Sequence, residues 1–160
     1  ANIMINYFNS YEEAEALCQE IRQFDIEAHT IQGNVADPES VKTIINFCKE
    51  KFGKLDFLVS NAASGVLKPA MEMSIKHWRW CMEANALSLN LLTQQAKEIM
   101  PPGSRILALS SMGAHRVIPN YAFVGASKAA LEALVRSLSV ELAPSGISVN
   151  TISAGVVDTD

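Results

Sequence analysis

Residues 55–65 read Leu55-Asp56-Phe57-Leu58-Val59-Ser60-Asn61-Ala62-Ala63-Ser64-Gly65. The first five form a nearly continuous apolar run, the pattern of a strand covered on both faces in a parallel sheet. The next six are small or polar and break the run into a loop. Working outward, the same unit recurs. Downstream, the loop extends to about Met73, and a long helix runs over 74–100, stopped by Pro101-Pro102. A buried-type strand follows at 105–109, then a loop, a helix over 121–142, a break at Gly146 and a last strand at 147–152. Upstream, residues 2–7 are a short strand. Ser10 with Glu13 has the form of a capping box, and Ala14, Leu17 and Ile21 recur at helical spacing. Residues 27–32 are a second strand ending in Gly33-Asn34-Val35. Asp37-Pro38 then offers an N-cap and a first-turn proline to a helix with Val41, Ile44, Ile45 and Cys48 on one face. Strands alternating with helices across short connections predict an α/β fold, a doubly wound parallel sheet, in one domain over 1–160.

Composition narrows the class of protein. The chain is 49% hydrophobic and 19% charged, enough apolar surface for a packed core. A net charge of −4 disfavours nucleic acid as a partner, because phosphate contacts require a basic surface. Cys18, Cys48 and Cys81 are far apart and outside any Cys-x-x-Cys pair, so they read as reduced, buried thiols and no metal site is expected. There is no signal-peptide pattern and no apolar run of bilayer length, so no membrane partner and a cytoplasmic location are expected.

A doubly wound sheet binds its ligand at the carboxyl ends of its strands. Three loops of small and polar residues follow strands here: Gly33-Asn34-Val35, Ser60 to Gly65, and Ser110-Ser111-Met112-Gly113. Those loops are the places to look for chemistry.

At these residues the sequence resembles the short-chain dehydrogenase/reductase family, whose fold is of the Rossmann type. Asn61-Ala62-Ala63 resembles the family's Asn-Ala-Gly segment, whose small residues admit a dinucleotide. Asn34-Val35 resembles the pair bordering the adenine, and Ser110-Ser111 the serine pair that closes the following strand. Asn85 falls at the family's asparagine in the long helix. Val149-Asn150 through Gly155, with Thr159, is similar to the segment beside the nicotinamide, with Ala154 in place of the usual proline. Classical members carry a tyrosine four residues before the lysine. Here that position is Val124, and the available phenol is Tyr121, seven residues before Lys128. Seven residues turn a helix by about 700°, which brings both side chains near one face, roughly 10 Å apart along the axis. The Tyr-x6-Lys spacing, His77-Trp-x-Trp80 and the segment from Asn61 to Pro69 resemble NADPH-dependent enoyl-acyl carrier protein reductases.

The resemblance implies Tyr121 and Lys128 as catalytic residues, with Lys128 also on the nicotinamide ribose. It implies Asn34, Val35, Asn61, Ala62, Ala63 and Gly155 as cofactor contacts. The spacing suits reduction of an enoyl thioester, since hydride enters at C3 while charge develops on the carbonyl oxygen two carbons away. No carboxylate lies within Tyr7-Phe8-Asn9-Ser10, which favours NADPH, with NADH possible. An acyl carrier protein or coenzyme A thioester is the implied substrate. A homotetramer, built through the helices at 74–100 and 121–142, is the implied assembly. Ser111 can be a second polar contact or simply structural; His77, Trp78 and Trp80 are expected to pack or cap the long helix.

No Gly-x-x-x-Gly-x-Gly occurs, and residues 2–7 match the family's second strand. The expectation is a partial domain, lacking the first βα unit and the C-terminal part, with the 2–7 strand unpaired on one side. Two other readings stay open. One is a β-ketoacyl reductase or other short-chain alcohol dehydrogenase with a displaced tyrosine; the other is a non-catalytic dinucleotide-binding or scaffold protein.

Overall fold

The computed structural model describes residues 1–155. Among the described residues, five strands alternate with helices: β1 (Ile3–Tyr7), α1 (Tyr11–Arg22), β2 (Ala28–Gln32), α2 (Pro38–Phe52), β3 (Phe57–Ser60), α3 (Ile75–Met82), α4 (Ser88–Ala96), β4 (Arg105–Ser111), α5 (Ala122–Leu142) and β5 (Ser148–Ala154). All pairings are parallel, as the alternation of elements predicts. They form two groups, β1-β2 and β3-β4-β5, and β1 and β3 are not hydrogen-bonded to each other. Chain order and parallel pairing give the Rossmann-type α/β architecture.

Local chemistry explains most boundaries. Asp37 caps α2 by accepting the Ser40 N–H at 2.8 Å, Pro38 stands in the first turn, and Gly53 ends the helix with φ 72°. Ser74 caps α3 reciprocally with His77: its Oγ accepts from the His77 N–H, and its own N–H donates to Nδ1. The Ser10–Glu13 capping box does not form. Ser10 has ψ 63° and no side-chain cap, so its contribution is a backbone carbonyl bonded to Ala14. Strand β3 begins two residues later than the apolar run suggests, because the Leu55 N–H is drawn off to the Ile99 carbonyl at 2.8 Å.

The core lies between helices and the larger sheet. Val41, Ile45 and Cys48 of α2 meet Leu89, Leu92 and Ala96 of α4, and with Ile106 and Ala108 of β4 and Leu131, Val135 and Leu138 of α5 make one buried cluster. Fully burying each large aliphatic side chain contributes about 1.5–3 kcal/mol. Helix α2 therefore ties the β1-β2 pair to the rest of the molecule. The expectation that β3 is covered on both faces fails: Phe57 and Val59 are 61% and 55% exposed. Among the described residues β3 has a strand partner on the β4 side alone.

All three cysteines are buried free thiols, and burial raises the pKa of each. Among the described residues no helix is long and apolar enough to cross a membrane, and no cluster of three or more His, Cys, Asp or Glu could hold a metal ion.

Candidate active site

Strand β4 carries the site. Its register against β3 and β5 sets Ser60 beside Ala108, Leu109 beside Ile152 and Ser110 beside Ser153, so the carboxyl ends of three parallel strands lie together. A 3-10 turn, Met112–Ala114, comes at once after β4, begun by Ser111, whose Oγ accepts the Gly113 N–H at 3.2 Å. Helix α5 then returns across this end.

Four residues of α5 and its N-cap form a stripe toward β4 and the turn: Tyr121, Gly125, Lys128 and Glu132. Tyr121 is the N-cap residue rather than a helical one, delivered by Asn120 at φ 62°. Its carbonyl accepts the Gly125 N–H at 2.7 Å. Its ring covers Gly113 so closely that a Cβ there would fall 2.5 Å from Cδ1 and Cε1. A Cβ on Gly125 would lie 2.5 Å from the Gly113 carbonyl oxygen, so both glycines are required for this approach. Lys128 is 6% exposed and donates from Nζ to the Leu109 carbonyl at 2.6 Å. Desolvation lowers its pKa from the ordinary lysine value. The structure thus gathers Tyr121 and Lys128 at the end of one strand, one on the turn after it and the other on its backbone.

The position four residues before Lys128 is closed. Val124 is buried and lies on Gly65, where an added Cβ would collide with Val124 Cγ2. The adjoining loop after β3 is held by Asn85, 1% exposed, within the π-helical stretch Glu83–Leu87. Asn85 Oδ1 accepts the Ser64 N–H at 2.7 Å, and Nδ2 donates to the Ser64 carbonyl at 2.8 Å and to Ser127 Oγ at 2.9 Å. Asn61, Ala62 and Ala63 precede this anchor and are exposed. Gly155 is exposed at the end of β5. Asn34 and Val35 stand apart in the other strand group: Asn34 donates its N–H to Ser40 Oγ at 2.8 Å, and Val35 packs on the core. Thr159 lies outside the described residues.

His77 caps α3, and Trp78 meets Phe123 edge-on at 5.3 Å, so two of the three aromatic positions pack or cap as expected. Two features escaped the reading of the sequence. One is the π-helical turn that swings Asn85 inward. The other is Glu132, which accepts from Ser110 Oγ at 2.5 Å and pairs with His115 Nε2 at 2.6 Å. A carboxylate inside the apolar run Ala129 to Leu134 is the signal that could have found it.

Comparison with known proteins covers the whole chain. A family model described as "Enoyl-(Acyl carrier protein) reductase" matches residues 1–160. The 1-cyclohexenylcarbonyl-CoA reductase of Streptomyces collinus is 34% identical over 99% of the chain and 56% of its own length. The NADH enoyl-[acyl-carrier-protein] reductase FabI of Synechocystis is 38% identical over 81% of the chain and 52% of its own length. The 3-oxoacyl-[acyl-carrier-protein] reductase FabG of Staphylococcus aureus is 34% identical over 99% of the chain and 65% of its own length. A short-chain dehydrogenase from Burkholderia cenocepacia, solved with NADP, superposes with a TM-score of 0.91 at 29% identity, covering 100% of this chain and 66% of that one. The chain spans about half to two thirds of the length of these relatives.

Proposed function

We propose a reaction from one premise: the chain belongs to the short-chain dehydrogenase/reductase superfamily, in the family described as enoyl-(acyl carrier protein) reductase. The intact protein reduces the C2=C3 bond of an enoyl thioester with NADPH. The observation that carries this reading is the displaced phenol. Val124 fills the classical tyrosine position against Gly65, and Tyr121 sits one turn earlier on the β4 exit turn.

The residues present fit the nicotinamide end of a dinucleotide. Lys128 is a buried ammonium with three donors, one of them used on Leu109, which leaves two for ribose hydroxyls. Asn61, Ala62 and Ala63 offer an exposed surface with little side-chain bulk. Asn34, Val35 and Gly155 are the further candidates for contact with the cofactor. When bound, the cofactor supplies the hydride. Tyr121 would donate a hydrogen bond to the thioester oxygen as negative charge develops there, and Lys128 would supply positive charge beside it. Asn85 holds the loop that shapes the near wall.

Tyr121→Phe in the intact protein, assayed with crotonyl and acetoacetyl thioesters, tests the reading. The wild type should reduce the crotonyl compound, and the variant should lose roughly 10²–10³-fold in kcat. Activity on the β-keto compound alone would reject it in favour of the second reading, a β-ketoacyl reductase, which the likeness to FabG and the presence of Ser111 at the strand end support. The relatives' names include both carrier-protein and coenzyme A thioesters, and acyl carrier protein is the carrier proposed here. NADPH is preferred to NADH because the β1 exit, Tyr7 to Ser10, has no carboxylate. Assembly as a homotetramer is proposed through an open apolar trough between α3–α4 and α5, lined by Met82, Ala86, Leu87, Ala130, Ala133 and Leu134.

A further inference from the structure

Helix α5 buries a second charged side chain one turn beyond Lys128. Glu132 is 9% exposed, and a carboxylate is tolerated in such a place only when its oxygens are paired. Both are. Oε1 accepts from Ser110 Oγ at 2.5 Å, and Oε2 lies 2.6 Å from His115 Nε2. Ser110 precedes the Met112–Ala114 turn and His115 comes directly after it, so one carboxylate spans both ends of that turn. The turn in turn carries the ring of Tyr121 on Gly113, and its Gly113 carbonyl lies against Gly125. Glu132 is therefore connected to the phenol through four residues of backbone, with each of its oxygens engaged at one end of the turn.

We propose that Glu132 is a positioning residue for Tyr121, acting through the 112–115 turn; this rests on Tyr121 being the hydrogen-bond donor in the reaction proposed above. A turn held at both ends keeps the ring in one place, and a displacement of about 1 Å at a reacting group can cost roughly 10²-fold in rate. Cofactor binding is separate, because Lys128 reaches Leu109 by its own contact.

The test is a double-mutant cycle in the intact protein, with turnover of a crotonyl thioester and NADPH affinity by fluorescence titration as readouts. Glu132→Leu should lower kcat roughly 10- to 100-fold and leave NADPH affinity at the wild-type value. Glu132→Gln keeps an acceptor for Ser110 and an amide for the His115 ring, and should recover most of the rate. On a Tyr121→Phe background, Glu132→Leu should add no further loss. Wild-type kcat in Glu132→Leu would overturn the proposal, as would losses that multiply with Tyr121→Phe or that fall equally on NADPH affinity. Should Glu132→Leu fail to fold, His115→Leu decides, since His115 is 67% exposed. A loss of kcat absent on the Tyr121→Phe background supports the role, and wild-type kcat overturns it. If the intact protein reduces β-ketoacyl but not enoyl thioesters, the reaction assignment fails by itself. The same cycle on β-ketoacyl turnover then supports or overturns the positioning role.

Discussion

At the scale of single residues, Lys128 sets the chemistry that pH can address. Burial disfavours its charged form and lowers its pKa from the ordinary 10.5. The cost of burying the ammonium is therefore fully present at neutral pH and is relieved as pH rises through the lowered value. Unfolded chains still hold the proton there, so the Lys128 contribution to stability should increase with pH in the window below 10.5, while the three buried thiols, whose pKa values are raised, pull the other way above 9.0. Cofactor affinity should move the opposite way, since the proposed ribose contacts need the ammonium donors. In parallel urea melts and NADPH titrations of the intact protein in alkaline buffers, the stability difference between wild type and Lys128→Met should move in favour of the wild type as pH rises, while wild-type NADPH affinity should fall. Lys128→Met should lose the pH dependence of affinity and keep only the fall in stability that the thiols impose. If the stability difference between the two proteins does not change with pH, the ammonium is not the group responsible.

At the scale of elements, the π-helical turn at Glu83–Leu87 matters more than the long helix in which it sits. An uninterrupted α-helix would keep a regular 3.6-residue stagger, and the extra residue of a π turn rotates the side chains downstream of it. In this molecule Asn85 lies in that turn and holds both backbone groups of Ser64 as well as Ser127. One side chain thus joins the π turn, the β3 exit loop and α5. Asn85→Ala would leave the Ser64 groups without those partners, and stability by urea denaturation should fall by about 2–3 kcal/mol. Turnover should fall more than the melt alone predicts, because the same loop borders the candidate site. A variant as stable as the wild type would mean that water replaces the amide.

At the scale of the whole molecule, the division into β1-β2 and β3-β4-β5 has a consequence for the 160-residue chain. A two-stranded sheet is marginal by itself, and this one is anchored to the main core through α2. Hydrogen exchange of that chain should find the amides of β1 opening at least about tenfold more readily than those of β4, a difference of about 1.4 kcal/mol. Equal protection would show that α2 couples the two groups into one cooperative unit.

Much of this was legible in the sequence because it depends on neighbours in the chain. Alternating apolar runs and caps such as Asp37-Pro38 define strands and helices locally, and the Tyr121 to Lys128 spacing is a property of one helix and its cap. The Ser10–Glu13 pattern shows the limit even there: the backbone of Ser10 turns so that no side-chain cap forms. Other features arise only when distant segments meet. The packing of Val124 on Gly65, the bridging of Ser64 and Ser127 by Asn85, and the pairing of Glu132 with Ser110 and His115 join residues from different elements. The sequence by itself determined the α/β order, the parallel pairing and the seven-residue spacing of Tyr121 and Lys128. Tertiary structure decided which polar groups are buried together, since a buried charge needs a partner from across the fold and no local pattern says which one will arrive.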